Sequence, residues 1–155
     1  MPGFISDSPL ACDLIRIGIG NEAIAREDAP ALRAYFREDY VFHGPGADLG
    51  FDELNAYFAS LRAAFKGLRL VREQIIVEGN FLAARTTFSG EFTGLFTYSP
   101  IGPVEPTGQH LEWEVIGIFR YDDEGRLAEE WVQTDYRGLL VKLGVTTTET
   151  AIQGS

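Results

Sequence analysis

The chain has 155 residues, of which 45% are hydrophobic and 23% charged, and its formal net charge is −10. This globular composition is long enough for one hydrophobic core, so we predict a single domain over residues 1–155. The chain is acidic, and its 13 lysines and arginines are scattered singly, so neither nucleic acid nor an anionic membrane is favoured as a partner. The sequence has no apolar run of the ~20 residues that span a membrane.

The first third of the chain is predicted to be mainly helical after a loose tail over residues 1–8. Apolar residues recur with helical spacing over residues 9–25, and a second helix, Pro30–Arg37, follows Asp28, an acidic N-cap. A short strand, Tyr40–His43, ends at a Gly/Pro turn, and a third helix, Asp52–Phe65, presents Phe58 on its apolar face.

Four strands are predicted in the rest of the chain. Leu68–Glu78 and Phe81–Ser89 are joined by the two-residue turn Gly79-Asn80, whereas residues 90–107 are expected to form a partly extended segment and a loop. Leu111–Arg120 and Arg126–Thr134 form a second hairpin. A short helix, Tyr136–Leu143, capped by Asp135, follows before a tail over residues 145–155. Helices followed by antiparallel strands indicate an α+β fold.

The composition and motifs favour a cytoplasmic protein without a cofactor or a metal. The one cysteine, Cys12, fits a reducing compartment, and the N-terminal residues lack the features of a secretory signal. The pattern G-x-G-x-x-A over residues 18–23 fits a dinucleotide fingerprint, but no buried strand precedes it. His110, Glu112 and Glu114 lack the second His or Cys ligand that a metal site would need.

The stretch from Pro106 to Gly144 contains PTG-x-x-L-x-W-x-V-I-x-I-F-R and then D-x-x-G-R-L-x-E-E-W-x-x-x-D-x-x-G-L-L-x-x-L-G. It resembles the SnoaL-like polyketide cyclases, which share a cone-shaped α+β fold with nuclear transport factor 2. The resemblance implies a curved antiparallel sheet that encloses, with the N-terminal helices, a pocket for a small hydrophobic ligand. It also implies a homodimer, because related proteins often pair through the sheet.

Three residues are predicted to be catalytic: His43 and Glu130 as acid and base, and Arg85 to polarise or orient the substrate. His43 ends its strand beside Gly44, and related proteins place a polar pocket residue nearby. Arg85 lies in Ala84-Arg85-Thr86-Thr87, which resembles an epoxide hydrolase strand, with Thr87 in place of an aspartate. The cyclases' acid/base aspartate aligns with Val132 and their pocket histidine with Gly117, so Glu130, which shares the side-chain direction of Val132, is the remaining acid. The predicted pocket-lining residues are Tyr40, Phe58, Thr87, Trp113, Val115, Gly117 and Val132.

The function predicted from these residues is a cofactor-independent cyclase or isomerase that transfers protons on a small hydrophobic carbonyl compound. A non-catalytic binding or dimerisation module of the same fold is the alternative, because the family's acid and base positions are Val132 and Gly117. An epoxide hydrolase or a dehydratase is disfavoured by Thr87 and Val132.

Overall fold

The computed structural model describes residues 21–145. Cys12, the predicted tail over residues 1–8 and most of the predicted helix over residues 9–25 lie outside this range, although residues 21–26 are helical. The helices that follow are α1 (Ala29–Tyr35), α2 (Phe51–Ala64) and α3 (Tyr136–Lys142). The strands are β1 (Phe36–Gly44), β2 (Ala47–Leu49), β3 (Phe65–Glu78), β4 (Phe81–Phe92), β5 (His110–Tyr121) and β6 (Leu127–Thr134).

The six strands form one sheet in the order β2-β1-β6-β5-β4-β3. Four pairings are antiparallel, as predicted, but β1 runs parallel to β6. The two predicted hairpins fix the direction of β3 relative to β4 and of β5 relative to β6, because short turns join antiparallel neighbours. No such turn links β1 to β6, which are separated by most of the chain, so local sequence signals did not specify their relative direction.

Both predicted aspartate caps are confirmed. Asp28 accepts a hydrogen bond of 3.2 Å from the backbone N–H of Ala31 at the start of α1. Asp135 accepts one of 2.9 Å from the N–H of Gly138 at the start of α3. These carboxylates satisfy backbone donors that the first helical turn leaves unpaired.

Alternating side chains give the sheet two distinct faces. The inner face packs against the helices and includes the predicted inner face of β5, on which Leu111, Trp113 and Phe119 are buried. On the outer face of the same strand, Ile116 and Ile118 are 57% and 47% exposed. Because side chains alternate with period two along a strand, every residue of the sheet can be assigned to the inner or the outer face.

Candidate functional site

The inner face of the sheet and the helices enclose a cavity of about 210 Å³ whose wall is mainly apolar. Helix α2 contributes Phe58 to this wall, and α1 contributes Tyr35. Of the predicted pocket residues, five line the cavity: Phe58, Trp113, Val115, Gly117 and Val132. The charged side chains in the wall are Glu130 and Arg72, on β6 and β3.

Glu130 is a buried carboxylate at the cavity wall. It is 6% exposed, and its Oε1 accepts a hydrogen bond from the hydroxyl of Tyr40, which is 2% exposed and lies outside the wall itself. Burial raises the pKa of Glu130 to about 7, although the Tyr40 hydrogen bond and the positive charge of Arg72 act in the opposite direction. A carboxyl group with this pKa can both give and take a proton near neutral pH.

Arg72 enters the cavity wall from β3. Its Nη1 donates a hydrogen bond to Thr86 Oγ1 on β4, and its guanidinium carbon lies 4.6 Å from the centre of the Phe119 ring. Strand β3 has an irregularity between Arg72 and Gln74, since Arg72 pairs with Thr86 while Gln74 pairs with Arg85. Such a bulge changes which face the following side chains occupy. The bulge therefore allows Arg72 on the inner face to be followed by Ile75 and Val77 on that same face.

Two tyrosines complete the polar surroundings of Glu130. The hydroxyl oxygens of Tyr35 and Tyr121 lie 2.6 Å apart, within hydrogen-bonding distance. Burial raises the pKa of both tyrosines, that of Tyr35 to about 12, so both hydroxyls stay protonated at neutral pH. Glu130 is therefore the group of this wall that changes its charge near pH 7.

Within residues 21–145, no group of three or more His, Cys, Asp or Glu side chains is arranged to hold a metal ion. No helix in that same part of the chain is long and apolar enough to cross a membrane.

The family model described as SnoaL-like polyketide cyclase matches residues 18–143. The chain belongs to the SnoaL-like polyketide cyclase family. The matched residues include the helices, the strands of the sheet and the residues that line the cavity.

Solved structures of SnoaL-like and related proteins superpose on most of the chain. AclR from Streptomyces galilaeus, a candidate hydroxylase, is 25% identical with a TM-score of 0.73, over 86% of this chain and 96% of its own. TsrD from Streptomyces laurentii is 25% identical with a TM-score of 0.74, over 89% and 98%. IdmH from Streptomyces antibioticus, a candidate polyketide cyclase, is 24% identical with a TM-score of 0.70, over 86% and 99%. No curated protein matches the chain.

Gly117 and Val132, which the sequence resemblance aligns with the histidine and the acid of the cyclases, are direct neighbours in the sheet. Gly117 on β5 pairs with Val132 on β6, and both line the cavity without a functional group. Glu130 lies one inner position earlier on β6, opposite Phe119. The carboxylate that β6 contributes to the cavity wall is therefore that of Glu130, two residues before Val132.

The structure corrects the predicted placement of His43. It lies on the outer face, where its ring stacks on Trp131 with the ring centres 5.3 Å apart, and it does not line the cavity. Its Nδ1 and Nε2 lie 2.9 and 2.7 Å from carboxylate oxygens of Asp48 and Glu129. The hydrogen bonds to Glu129 and Asp48 raise the pKa of His43. With both ring nitrogens engaged on the far side of the sheet, His43 does not form a pair with Glu130.

Arg85 and Thr87 also lie on the outer face rather than at the cavity. Arg85 Nη1 donates a hydrogen bond to Glu114, and Thr87 Oγ1 donates one of 2.8 Å to Glu73. Their neighbour Thr86 has the opposite side-chain direction, is 1% exposed and lines the cavity. The sequence analysis thus missed two residues of the cavity wall. They are Arg72 on β3 and Thr86, which lies between Arg85 and Thr87 on β4.

Proposed function

We propose that this SnoaL-like protein is a cofactor-independent cyclase or isomerase that transfers protons on a small hydrophobic carbonyl compound bound in the cavity. The observation that carries the proposal is Glu130, a buried carboxylate in an apolar wall with its pKa raised to about 7. Tyr40 orients the carboxylate through its hydrogen bond. His43 and Arg85 have no part in the proposal, because their side chains contact outer-face carboxylates.

In the proposed reaction, the ionised Glu130 takes a proton from the carbon next to the carbonyl group. The electron pair of that C–H bond forms the C=C bond of an enolate, and the carbonyl oxygen takes the negative charge. In a cyclisation, the enolate carbon attacks a second carbonyl carbon, and the alkoxide that forms there takes the proton back from Glu130. In an isomerisation, a conjugated enolate takes that same proton from Glu130 at another carbon. In both cases the first carbonyl group is restored and Glu130 ends ionised, as it began.

A non-catalytic binding module is the second candidate. It is favoured by Gly117 and Val132, which bring no acid or base to the positions that align with those of the characterised cyclases. In that case, the buried Glu130 would only shape the cavity. The two candidates differ in whether a bound ketone exchanges its protons.

The test is the exchange of α-protons of 2-tetralone, an aromatic ketone, into D2O, followed by proton NMR together with a binding titration. We expect the wild-type protein to accelerate exchange, and Glu130→Gln to bind the ketone but lose at least about 10²-fold of the rate. The matched control is Glu129→Gln, the adjacent residue on the outer face, which contacts His43 and Arg120. It should keep the wild-type rate.

Each other outcome of this test contradicts the proposal. Binding without accelerated exchange in the wild type would establish the non-catalytic module. Equal rates for the wild type and Glu130→Gln would assign the proton transfer to another group. Absence of 2-tetralone binding would exclude small apolar ketones as ligands of the cavity.

The outer face supports a further part of the proposal, the homodimer. A row of neighbouring residues crosses this face: Ile76, Ala83, Ile118, Trp131 and His43. Ile76, Ile118 and Trp131 are 62%, 47% and 39% exposed, which leaves a continuous apolar strip at the surface. We propose that two copies pair through this row, and that the protein acts in the cytoplasm.

A further inference from the structure

Arg72 brings a positive charge to the cavity that no carboxylate of residues 21–145 neutralises by direct contact. It contacts the hydroxyl of Thr86 and the ring of Phe119, and within residues 21–145 it forms no ion pair shorter than 4.0 Å. Its Nε is buried without a hydrogen-bond partner. An arginine is always charged, and burying an unpaired donor of a charged group costs free energy. This side chain is therefore suited to an acceptor that enters the cavity.

The Arg72 side chain reaches from its own row of the sheet towards the row of Glu130. Arg72 and Thr86 belong to one inner row, and Glu130 and Phe119 to another, about 13 Å away along the strands by backbone position. The Arg72 guanidinium nevertheless contacts the Phe119 ring, and Phe119 is paired with Glu130. The positive charge of Arg72 also acts on Glu130, whose pKa it lowers. A ligand in the cavity can therefore meet Arg72 and Glu130 together, since both line its wall.

The geometry points to an anionic-oxygen subsite: Arg72 and Thr86 hold a carboxylate or enolate oxygen of an otherwise apolar ligand that also faces Glu130. The inference names the substrate class of the same cavity and so rests on the proposed function. Two sources share this chemistry. A carboxylate carries the charge before any reaction, whereas an enolate oxygen gains it only when Glu130 removes a proton from carbon.

A charged hydrogen bond of this kind should change affinity by roughly 10- to 100-fold. The first measurement is calorimetric binding of 2-naphthoate and of 2-naphthylmethanol at pH 6, because these probes share a ring system and differ in charge. We expect the wild type to prefer the carboxylate at least tenfold. Arg72→Met should lose this preference while keeping its affinity for the alcohol, and Arg72→Lys should retain part of it. Arg69→Met, an exposed arginine of the same strand, is the matched control and should behave as the wild type.

The second measurement uses 2-acetyl-1-tetralone, a β-diketone whose enolate absorbs in the near ultraviolet. We expect the wild type to increase the enolate fraction of the bound diketone and Arg72→Met to lose this increase. A carboxylate preference alone would assign the subsite to an acid, and an enolate increase alone to an enolisable ketone. Either result supports the inference.

The absence of both effects in the wild type would overturn the inference, as would their persistence in Arg72→Met or an equal loss in Arg69→Met. Thr86→Val provides a milder change if Arg72→Met fails to fold, which circular dichroism would reveal. It removes the hydroxyl that Arg72 contacts and should weaken 2-naphthoate binding selectively. Glu130→Gln separates this inference from the proposed function. It should keep the carboxylate preference even though it loses proton exchange.

Discussion

Replacing Glu130 by glutamine tests how strongly the cavity wall desolvates this carboxylate. Glutamine has the shape of the protonated acid and keeps an oxygen that can accept the Tyr40 hydrogen bond. The pKa of Glu130 rises from an ordinary value of 4.5 to about 7 in the folded protein. Each pKa unit corresponds to about 1.4 kcal/mol, so ionisation of the folded state at high pH carries a penalty of about 3 kcal/mol.

The sign of the pH dependence follows from proton binding. Between pH 4.5 and 7 the folded chain holds the Glu130 proton that the unfolded chain has already released, so the contribution of Glu130 to stability falls as pH rises and levels off above pH 7. Glu130→Gln lacks this loss. We therefore expect the variant to exceed the wild type in the free energy of unfolding by less than about 1 kcal/mol at pH 5 and by about 3 kcal/mol at pH 8.

The assay is urea unfolding at pH 5 and pH 8, followed by tryptophan fluorescence at one protein concentration, since pairing of copies would make stability concentration-dependent. Groups around Glu130 that carry or gain charge are Arg72 on β3 and the tyrosines 35, 40 and 121 on α1, β1 and β5. They are present in both proteins, so the difference isolates Glu130. Glu105→Gln, which removes an exposed carboxylate, is the control and is measured at the same two pH values.

An equal difference at the two pH values would refute the reasoning, because it would mean that the pKa of Glu130 is not raised by burial. A glutamine variant that is less stable than the wild type at pH 8 would refute it more sharply. That result would mean that the ionised carboxylate is stabilised in the fold, with Arg72 as its partner despite the absence of an ion pair between them within 4.0 Å.

Three further substitutions test the fold and its proposed assembly. Asp135→Ala removes the cap of α3 and should lower the free energy of unfolding by about 1 kcal/mol in the same urea assay. Leu61→Ala creates a cavity at a fully buried position of α2 and should cost about 2–5 kcal/mol, measured as a lower urea midpoint with an unchanged slope. Ile118→Glu places a charge in the exposed apolar row and should convert a dimer to a monomer in light scattering after size exclusion; a wild type that is already monomeric would remove the dimer from the proposal.

Much of the fold could be predicted from short-range patterns. Asp28 and Asp135 precede apolar helical spacing, and both cap helices in the structure. Gly79 and Gly125 adopt positive φ angles of 61° and 75° in the two predicted hairpin turns, where a side chain would be strained. The parallel pairing of β1 with β6 has no such local signal. It depends on contacts between segments about 90 residues apart.

The candidate site was predicted only in part, for a reason visible in β3 and β4. On β4 the apolar residues Leu82, Ala84 and Phe88 already assign Thr86 to the inner face, but the family motif drew attention to Arg85 and Thr87. On β3 the inner residues change from Leu70 and Arg72 to Ile75 and Val77, which signals an extra residue between them. A prediction by strict alternation therefore has to allow for bulges, which are common beside functional sites.

Glu130 and its neighbour Glu129 lie on opposite faces of the sheet. The two carboxylates are adjacent in sequence, yet Glu129 contacts His43 and Arg120 outside the sheet, and its pKa is lowered chiefly by the His43 hydrogen bond. Glu130 points the other way, and its pKa is raised by burial. One residue of register thus determines whether a glutamate is an ion-pair partner on the outer face with a lowered pKa or a buried group with a pKa of about 7.

Gly117 allows the packing of Phe119 between Glu130 and Arg72 in the cavity wall. A Cβ atom at this position would lie 3.0 Å from Cε2 of Phe119, so the glycine allows the Phe119 ring to lie close to the backbone of its own strand. That ring contacts the guanidinium of Arg72, and its residue is paired directly with Glu130. A larger residue at position 117 would require the Phe119 ring to move by a few tenths of an ångström. Gly117 is therefore a condition for the packing of one aromatic ring against Arg72 beside the carboxylate of Glu130.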